Sequence, residues 1–390
     1  MAYLQPTETM QTKPLAYDAP LSDYERQAGE LLAGYRARDG RALALLRALH
    51  PRFRDERVAW LARDASDFEV AAAGFDLDDA RLAAARGYSF ADWGALSEWV
   101  EAVGRRGDVF RFESVVEAVI DGDVATLERL LAQDPELVRA RSTRRTCFDP
   151  PVHRATLLHY VGANGLEGHR QRTPPNAPAI ARALLEAGAE PDALAGFYGI
   201  ECATLSLLVS SSHPAEAGVQ GELVELLLDH GAAIEGRGER WGSPLATALL
   251  FGCTDAAQTL VRRGARVDCV SVAAGLGLAD HVAKLLPASG APSRHLALAL
   301  AAQLGHAGVV RQLLDAGEDP NRYNPEGGHA HATPLHQAAL AGHLDVVRLL
   351  VERGARRDVR DTIYSGTPLD WARHAGQREI EVYLRSLDGA

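Results

Sequence analysis

Along most of this chain apolar residues recur three and four apart, the spacing of amphipathic helices, and glycines interrupt the pattern at short intervals. The clearest stretch, Thr333 to Asp358, reads T-P-L-H-Q-A-A-L-A-G-H-L-D-V-V-R-L-L-V-E-R-G-A-R-R-D. It predicts a short apolar helix, a Gly-His turn, a second amphipathic helix and a Gly-Ala stop leading into aspartate. Threonine caps the first helix, and proline follows where no backbone donor is lost. Glycine after the second helix supplies the left-handed stop. The opening returns as Thr367-Pro368-Leu369-Asp370, a period of 34 (367 − 333).

Worn copies lie upstream. Thr156-Leu157-Leu158-His159 opens one that closes at Gly188-Ala189, and Thr204 opens another closing at Gly231-Ala232. Ser243-Pro244-Leu245 opens a third, closing at Gly264-Ala265. Two short units close at Gly290-Ala291 and Gly317, and their spacings of 26 (290 − 264) and 27 (317 − 290) leave no room for a full hairpin finger. A first unit starts near Phe112, turns at Asp121-Gly122-Asp123 and carries Leu130-Leu131 in its second helix. These motifs closely resemble the ankyrin repeat, whose period is about 33. The resemblance covers residues 110–388 and implies an all-α solenoid of about eight stacked helix-turn-helix units with short β-hairpin fingers. It further implies that His159 and His336 tie repeat to repeat by hydrogen bonds. A protein partner of unknown identity would then be held on the concave face, with contacts at Ser211, Ser212, Leu250, Phe251, Tyr364, Trp371 and His374. Leu250 and Phe251 form the expected apolar anchor.

Residues 21–105 follow a different pattern. Helical spacing over Tyr24–Leu46, Glu56–Ala62 and Leu77–Val103 predicts three or four helices, the last region rich in aromatics (Tyr88, Phe90, Trp93, Trp99). Similar segments precede ankyrin arrays in a group of bacterial proteins that this chain resembles. A helical cap covering the array's apolar end is the expected role, with a separate helical binding module as the alternative. Residues 1–20 read as a loose tail without the apolar core of a secretory signal.

Two adjacent repeats carry insertions. An uninterrupted unit spans 21 residues from opening Thr or Ser to closing Gly (354 − 333; 264 − 243), whereas the second and third span 32 (188 − 156) and 27 (231 − 204). Both extra segments fall in the turn between the two helices. The first offers Asn164, Glu167, His169, Arg170, Arg172, Thr173 and Asn176, and the second offers His213, Glu216 and Gln220. Proline-stiffened polar loops with two arginines, two histidines and two glutamates fit a small anionic ligand or acid-base chemistry. The other reading is a brace of mutual salt bridges. If the site is functional, Arg170, Arg172 and His213 should converge.

A weaker candidate is a metal held by His329 and His331, which alternate on an expected finger strand and so face the same way. No residue is spaced to complete that site, and no cofactor is expected. The familiar hydrolase, zinc-protease and phosphate-loop signatures are absent.

Composition narrows the partner. The chain has 390 residues and a net charge of −11 (41 Lys+Arg against 52 Asp+Glu), which argues against nucleic acid. Lysine occurs only at Lys13 and Lys284, an arginine bias that reads as a GC-rich bacterial genome. Four scattered cysteines suit a reducing cytoplasm, and no apolar run is long enough to span a membrane. A cytoplasmic monomer is expected.

Overall fold

The computed structural model describes residues 14–55, 61–237 and 243–387. Its chain divides into two compact units, Met1–Arg240 and Trp241–Ala390.

The first unit opens with five helices, α1 (Leu21–Arg36), α2 (Gly40–Leu49), α3 (Asp67–Ala71), α4 (Leu77–Gly87) and α5 (Trp93–Gly104). The helical spacing over Tyr24–Leu46 is divided between two helices at Arg38, whose φ of 56° no α-helix accommodates. The run over Leu77–Val103 is split as well, because Asp92 starts a new helix by accepting a hydrogen bond from Ala95 N. The helix expected over Glu56–Ala62 lies largely outside the described residues, and its described end is extended, Ala62 pairing with Arg54 in an antiparallel bridge. Two apolar clusters form here. One joins Leu31, Tyr35, Leu46, Phe53 and Phe75; the other joins Tyr24, Tyr88, Phe90, Trp99 and Val103.

Three helix pairs follow: α6 (Asp108–Asp121) with α7 (Val124–Gln133), α8 (Leu157–Gly162) with α9 (Ala177–Glu186), and α10 (Thr204–Leu208) with α12 (Gln220–Asp229). The short helix α11 (Ser212–Glu216) sits between the members of the third pair. Strands β1 (Ala195–Phe197) and β2 (Ile200–Cys202) form an antiparallel hairpin finger, with Ala195 opposite Cys202. Among the described residues this is the sole two-stranded sheet.

The second unit is five pairs: α13 (Pro244–Leu250) and α14 (Thr254–Arg262), α15 (Val270–Gly275) and α16 (Ala279–Leu285), α17 (Ala291–Gln303) and α18 (Ala307–Asp315), α19 (Pro334–Ala341) and α20 (Leu344–Glu352), α21 (Pro368–His374) and α22 (Arg378–Ser386). One apolar core runs from Val270 to Leu384. First helices contribute Ala273, Ala301, Ala338 and Ala372, and second helices contribute Val282, Val310, Val347 and Ile380. Small residues on the first helices let neighbouring backbones approach, while β-branched residues fill the space behind them. Gly290 does not close its unit. Its φ of −71° places it at the start of α17, and a 3-10 turn over Leu286–Ala288 ends the preceding helix instead.

Hydrogen bonds stitch the pairs together. His159 Nε2 donates to the Cys202 carbonyl at 3.2 Å, which leaves Nδ1 to accept from Thr156 at the start of its own helix. His336 repeats the arrangement with Thr333 and the Gly366 carbonyl. Burial holds both imidazoles down at about 4, so both are neutral. In the second unit a further ladder runs in the opposite direction. His306 Nε2 donates back to the Gly275 carbonyl at 2.9 Å, His343 Nε2 to Gln303 at 3.1 Å, and Gln377 Nε2 to Leu340 at 3.3 Å. Gly305 lies beneath the His343 ring, where a Cβ would come within 2.6 Å of Nδ1.

Candidate functional site

The first insertion, residues 163–176, turns inward. Arg170, 1% exposed, sits between two carboxylates of α6, with Nη1 2.6 Å from Glu113 and Nη2 3.0 Å from Glu117. Glu167, equally buried, faces Arg144 at 3.2 Å. The Arg144 guanidinium stacks on Phe90 and Trp99, 4.2 and 4.5 Å from the ring centroids, and Nη2 donates to the Tyr88 carbonyl. Trp99 Nε1 donates to Glu113 at 3.2 Å and closes the circuit. Two guanidiniums, two fully buried carboxylates and an indole thus join the insertion to α5, α6 and the Tyr88–Phe90 corner. Burial would raise the Glu167 carboxyl, but Arg144 and Arg170 outweigh it and hold it at about 2. Burial, with the same two arginines, pushes His169 well below its ordinary value and leaves it neutral.

Arg172 and Asn176 lie at the insertion's far end. Arg172 pairs with Asp121 in a half-exposed bridge. Asn176 Nδ2 donates to the Gly122 carbonyl at 2.8 Å, the backward repeat-to-repeat link that His306, His343 and Gln377 make in the second unit. Gly122 has φ 74°, and a Cβ there would lie 2.9 Å from Pro174 Cβ and closer still to the Asn176 carboxamide. Asn164 bridges Ser210 Oγ and the Tyr198 hydroxyl, each at 2.7 Å.

The second insertion, residues 209–219, is held by neutral bonds. Ser211 Oγ donates to the Ala163 carbonyl at 3.0 Å, and buried Gln220 donates to the Leu208 and Ser211 carbonyls. Half-buried His213 is shifted down by burial, against a smaller opposite pull from exposed Glu216. Arg170 and Arg172 line one cavity of about 170 Å³, together with Tyr24, Tyr88, Glu117 and Arg144. His213 does not line it. The expected three-residue convergence therefore reduces to two arginines, because α11 carries His213 away.

The expected concave contacts are mixed. Ser211 is buried, Ser212 half-buried and His374 exposed. Phe251 is 9% exposed and so packs inward rather than standing out as an anchor, while Leu250 is half-buried and its carbonyl accepts from Gln303 and His329. Trp371 is buried too, its Nε1 donating to Asp361 at 3.0 Å, while Tyr364 is 39% exposed. His329 and His331 do not share a strand. His329 has φ 60° in a turn and donates to Leu250, and His331 sits among His329, Tyr364 and Trp371. No group of three metal-ligating side chains occurs among the described residues.

Sequence reading missed Glu113, Glu117 and Arg144, which complete the buried network, and the aromatics Phe148, Tyr198 and Tyr323. Beside the β1–β2 finger runs an open groove of about 970 Å³ whose wall includes Asp149, Val152, Arg154, Ile200 and Glu201. Phe148 and Tyr198, 42% and 51% exposed, flank this region. Tyr323 and Tyr364 are similarly exposed on the loops leading into α19 and α21.

Helix pairs capped by Thr-x-x-His, joined by histidine ladders and carrying loops along one edge, define a helical-repeat scaffold. The family model described as Ankyrin repeats (3 copies) matches residues 270–361 and 298–389. The bovine cyclin-dependent kinase 4 inhibitor B is 36% identical over 121 residues, covering 24% of this chain and 92% of that protein. The chain belongs to the ankyrin-repeat family. Mouse ankyrin repeat and SAM domain-containing protein 6 is 36% identical over 105 residues, which span 27% of this chain but only 12% of that protein's length. The human ASB11 ankyrin repeat domain is similar at 20% identity and a TM-score of 0.35, covering 69% of this chain and 96% of that one.

Proposed function

We propose that this protein binds a protein partner through its finger loops and the adjoining concave positions. The carrying observation is where its exposed aromatics lie. Of the five such residues among those described, Phe68, Phe148, Tyr198, Tyr323 and Tyr364, four stand on loops leading into first helices. Aromatic side chains dominate protein interfaces because each buries a large area while losing little rotamer freedom. The groove beside Tyr198, with carboxylates and three arginines (Arg141, Arg154 and Arg237) around apolar Val152 and Ile200, supplies the polar rim such anchors need. One relative is named as an inhibitor of a kinase, a protein target. No described helix is long and apolar enough to cross a membrane. A reducing cytoplasm and a bacterial source, from the scattered cysteines and the arginine bias, belong to the same proposal.

The test is affinity capture with mass spectrometry on the wild type, Tyr198→Ala and Tyr364→Ala. Loss of a common partner from either variant, with unchanged thermal melting, is the expected result. A partner retained by both but lost from His374→Ala would move the interface from the fingers to the concave helices.

A further inference from the structure

We propose that the first unit binds a small oxyanion, a carboxylate or phosphate, in the cavity that the first insertion closes against the N-terminal helices. The site is distinct from the finger loops, so partner capture and anion binding succeed or fail independently.

Guanidiniums dominate the cavity's lining, and each already has a carboxylate partner, Arg144 with Glu167, Arg170 with Glu113 and Glu117, and Arg172 with Asp121, so a bound anion rests on the donors those pairs leave over. Of the charged side chains lining it, three are guanidiniums, Arg144, Arg170 and Arg172, and one is a carboxylate, Glu117. Glu113 and Glu167 contact Arg170 and Arg144 without being part of the lining, so they fix those guanidiniums rather than fill the space. An arginine has five N–H donors, and these are not exhausted: Arg170 Nε and Arg144 Nη1 meet no hydrogen-bond acceptor among the described residues. His169 Nδ1, on the same wall, is likewise unpartnered. Guanidinium N–H groups left without an acceptor are the donors by which arginine recognises carboxylate and phosphate groups.

A cavity of about 170 Å³ has room for a phosphate or a short carboxylic acid. Residues 14–17 cross one side of the cavity, held by Leu15 N donating to the Tyr88 hydroxyl at 3.2 Å and by Tyr17 OH against Ser114 Oγ at 2.7 Å. Leu15 and Tyr17 also pack against the apolar cluster of Tyr24, Tyr88 and Trp99, so this side of the enclosure is built by the chain itself.

Isothermal titration of the full chain with inorganic phosphate and with succinate, against uncharged erythritol as control, tests the proposal. Saturable one-to-one binding of at least one anion, and none of erythritol, is expected. Arg172→Ala, at a half-exposed position, should weaken it about tenfold. Glu117→Gln removes the one carboxylate in the lining and should tighten it several-fold, with the circular-dichroism melt of each variant confirming the fold. Failure of both anions to saturate into the millimolar range overturns the proposal. So does binding that neither substitution changes, since the ion would then sit elsewhere.

Discussion

The two insertions leave the same turn of adjacent repeats and have opposite fates. The first takes Glu167 and Arg170 out of water and holds them by ionic contacts to α6 and Arg144. The second keeps Glu216 in solvent and fastens itself by a serine and a glutamine to backbone carbonyls. The difference lies in what each loop meets. The first faces the N-terminal helices and the aromatic corner at Tyr88–Phe90, where a charge must be matched or become very costly. The second faces the end of α10, where peptide carbonyls need only neutral donors. A buried ionic lock fixes one arrangement; a neutral clasp merely closes a loop.

The largest test of this contrast is Arg170→Ala, which leaves Glu113 buried against Trp99 without its cation. It should destabilise the fold by about 3–5 kcal/mol in urea melts, whereas a loss below about 1 kcal/mol would show that the network is not a lock. Acid comes next, because it acts on different groups in sequence. His159 is held at about 4, so the unfolded chain binds more protons between about 6.5 and 4. Its contribution is intact above pH 6.5 and is lost as pH falls toward 4, on the order of 3 kcal/mol for this fully buried ring. Glu167 has the carboxylate sign. Its contribution is present above its ordinary 4.5 and is lost only as pH falls toward about 2. Denaturant melts across this range should therefore show the histidine loss first, with His159→Gln making only that upper part shallower, because His336 shares it.

Gly122→Ala probes how tightly the first insertion sits on the α6–α7 turn. A left-handed φ and the approach of Pro174 together predict a loss of about 2 kcal/mol. Ser211→Ala removes one neutral bond of the second insertion and should lower stability by about 1 kcal/mol. Were it to match Arg170→Ala, the two loops would be equivalent and the contrast would fail. The smallest effect belongs to Arg172→Ala, whose half-exposed bridge to Asp121 is worth about 0–1 kcal/mol.

Local signals carried much of the architecture. Thr156, His159, Thr333 and His336 announce their caps because each acts within one helical turn, and the insertions show as simple excess length. What stayed hidden depends on distant pairs. Nothing near Arg170 in sequence signals Glu113, and Arg144 reads as one more surface charge until Phe90 and Trp99 close over it. Asn176 looks like a ligand donor in its polar loop, yet it takes the place that histidine or glutamine occupies after the mid-repeat glycine elsewhere. Phe251 misleads in the other direction, since periodicity cannot tell a protruding phenylalanine from one tucked behind a neighbouring turn.

Asp370 stands where His159 and His336 stand in their repeats, and its Oδ2 accepts from Thr367 N and Oγ1 much as their Nδ1 atoms accept from Thr156 and Thr333. Its other oxygen accepts from Arg373. An imidazole has two ends of opposite character, one to receive and one to give, whereas an ionised carboxylate only receives. The exchange therefore keeps the helix start and deletes the outgoing connector. Asp370→His is the change that would restore a forward-facing donor at this position.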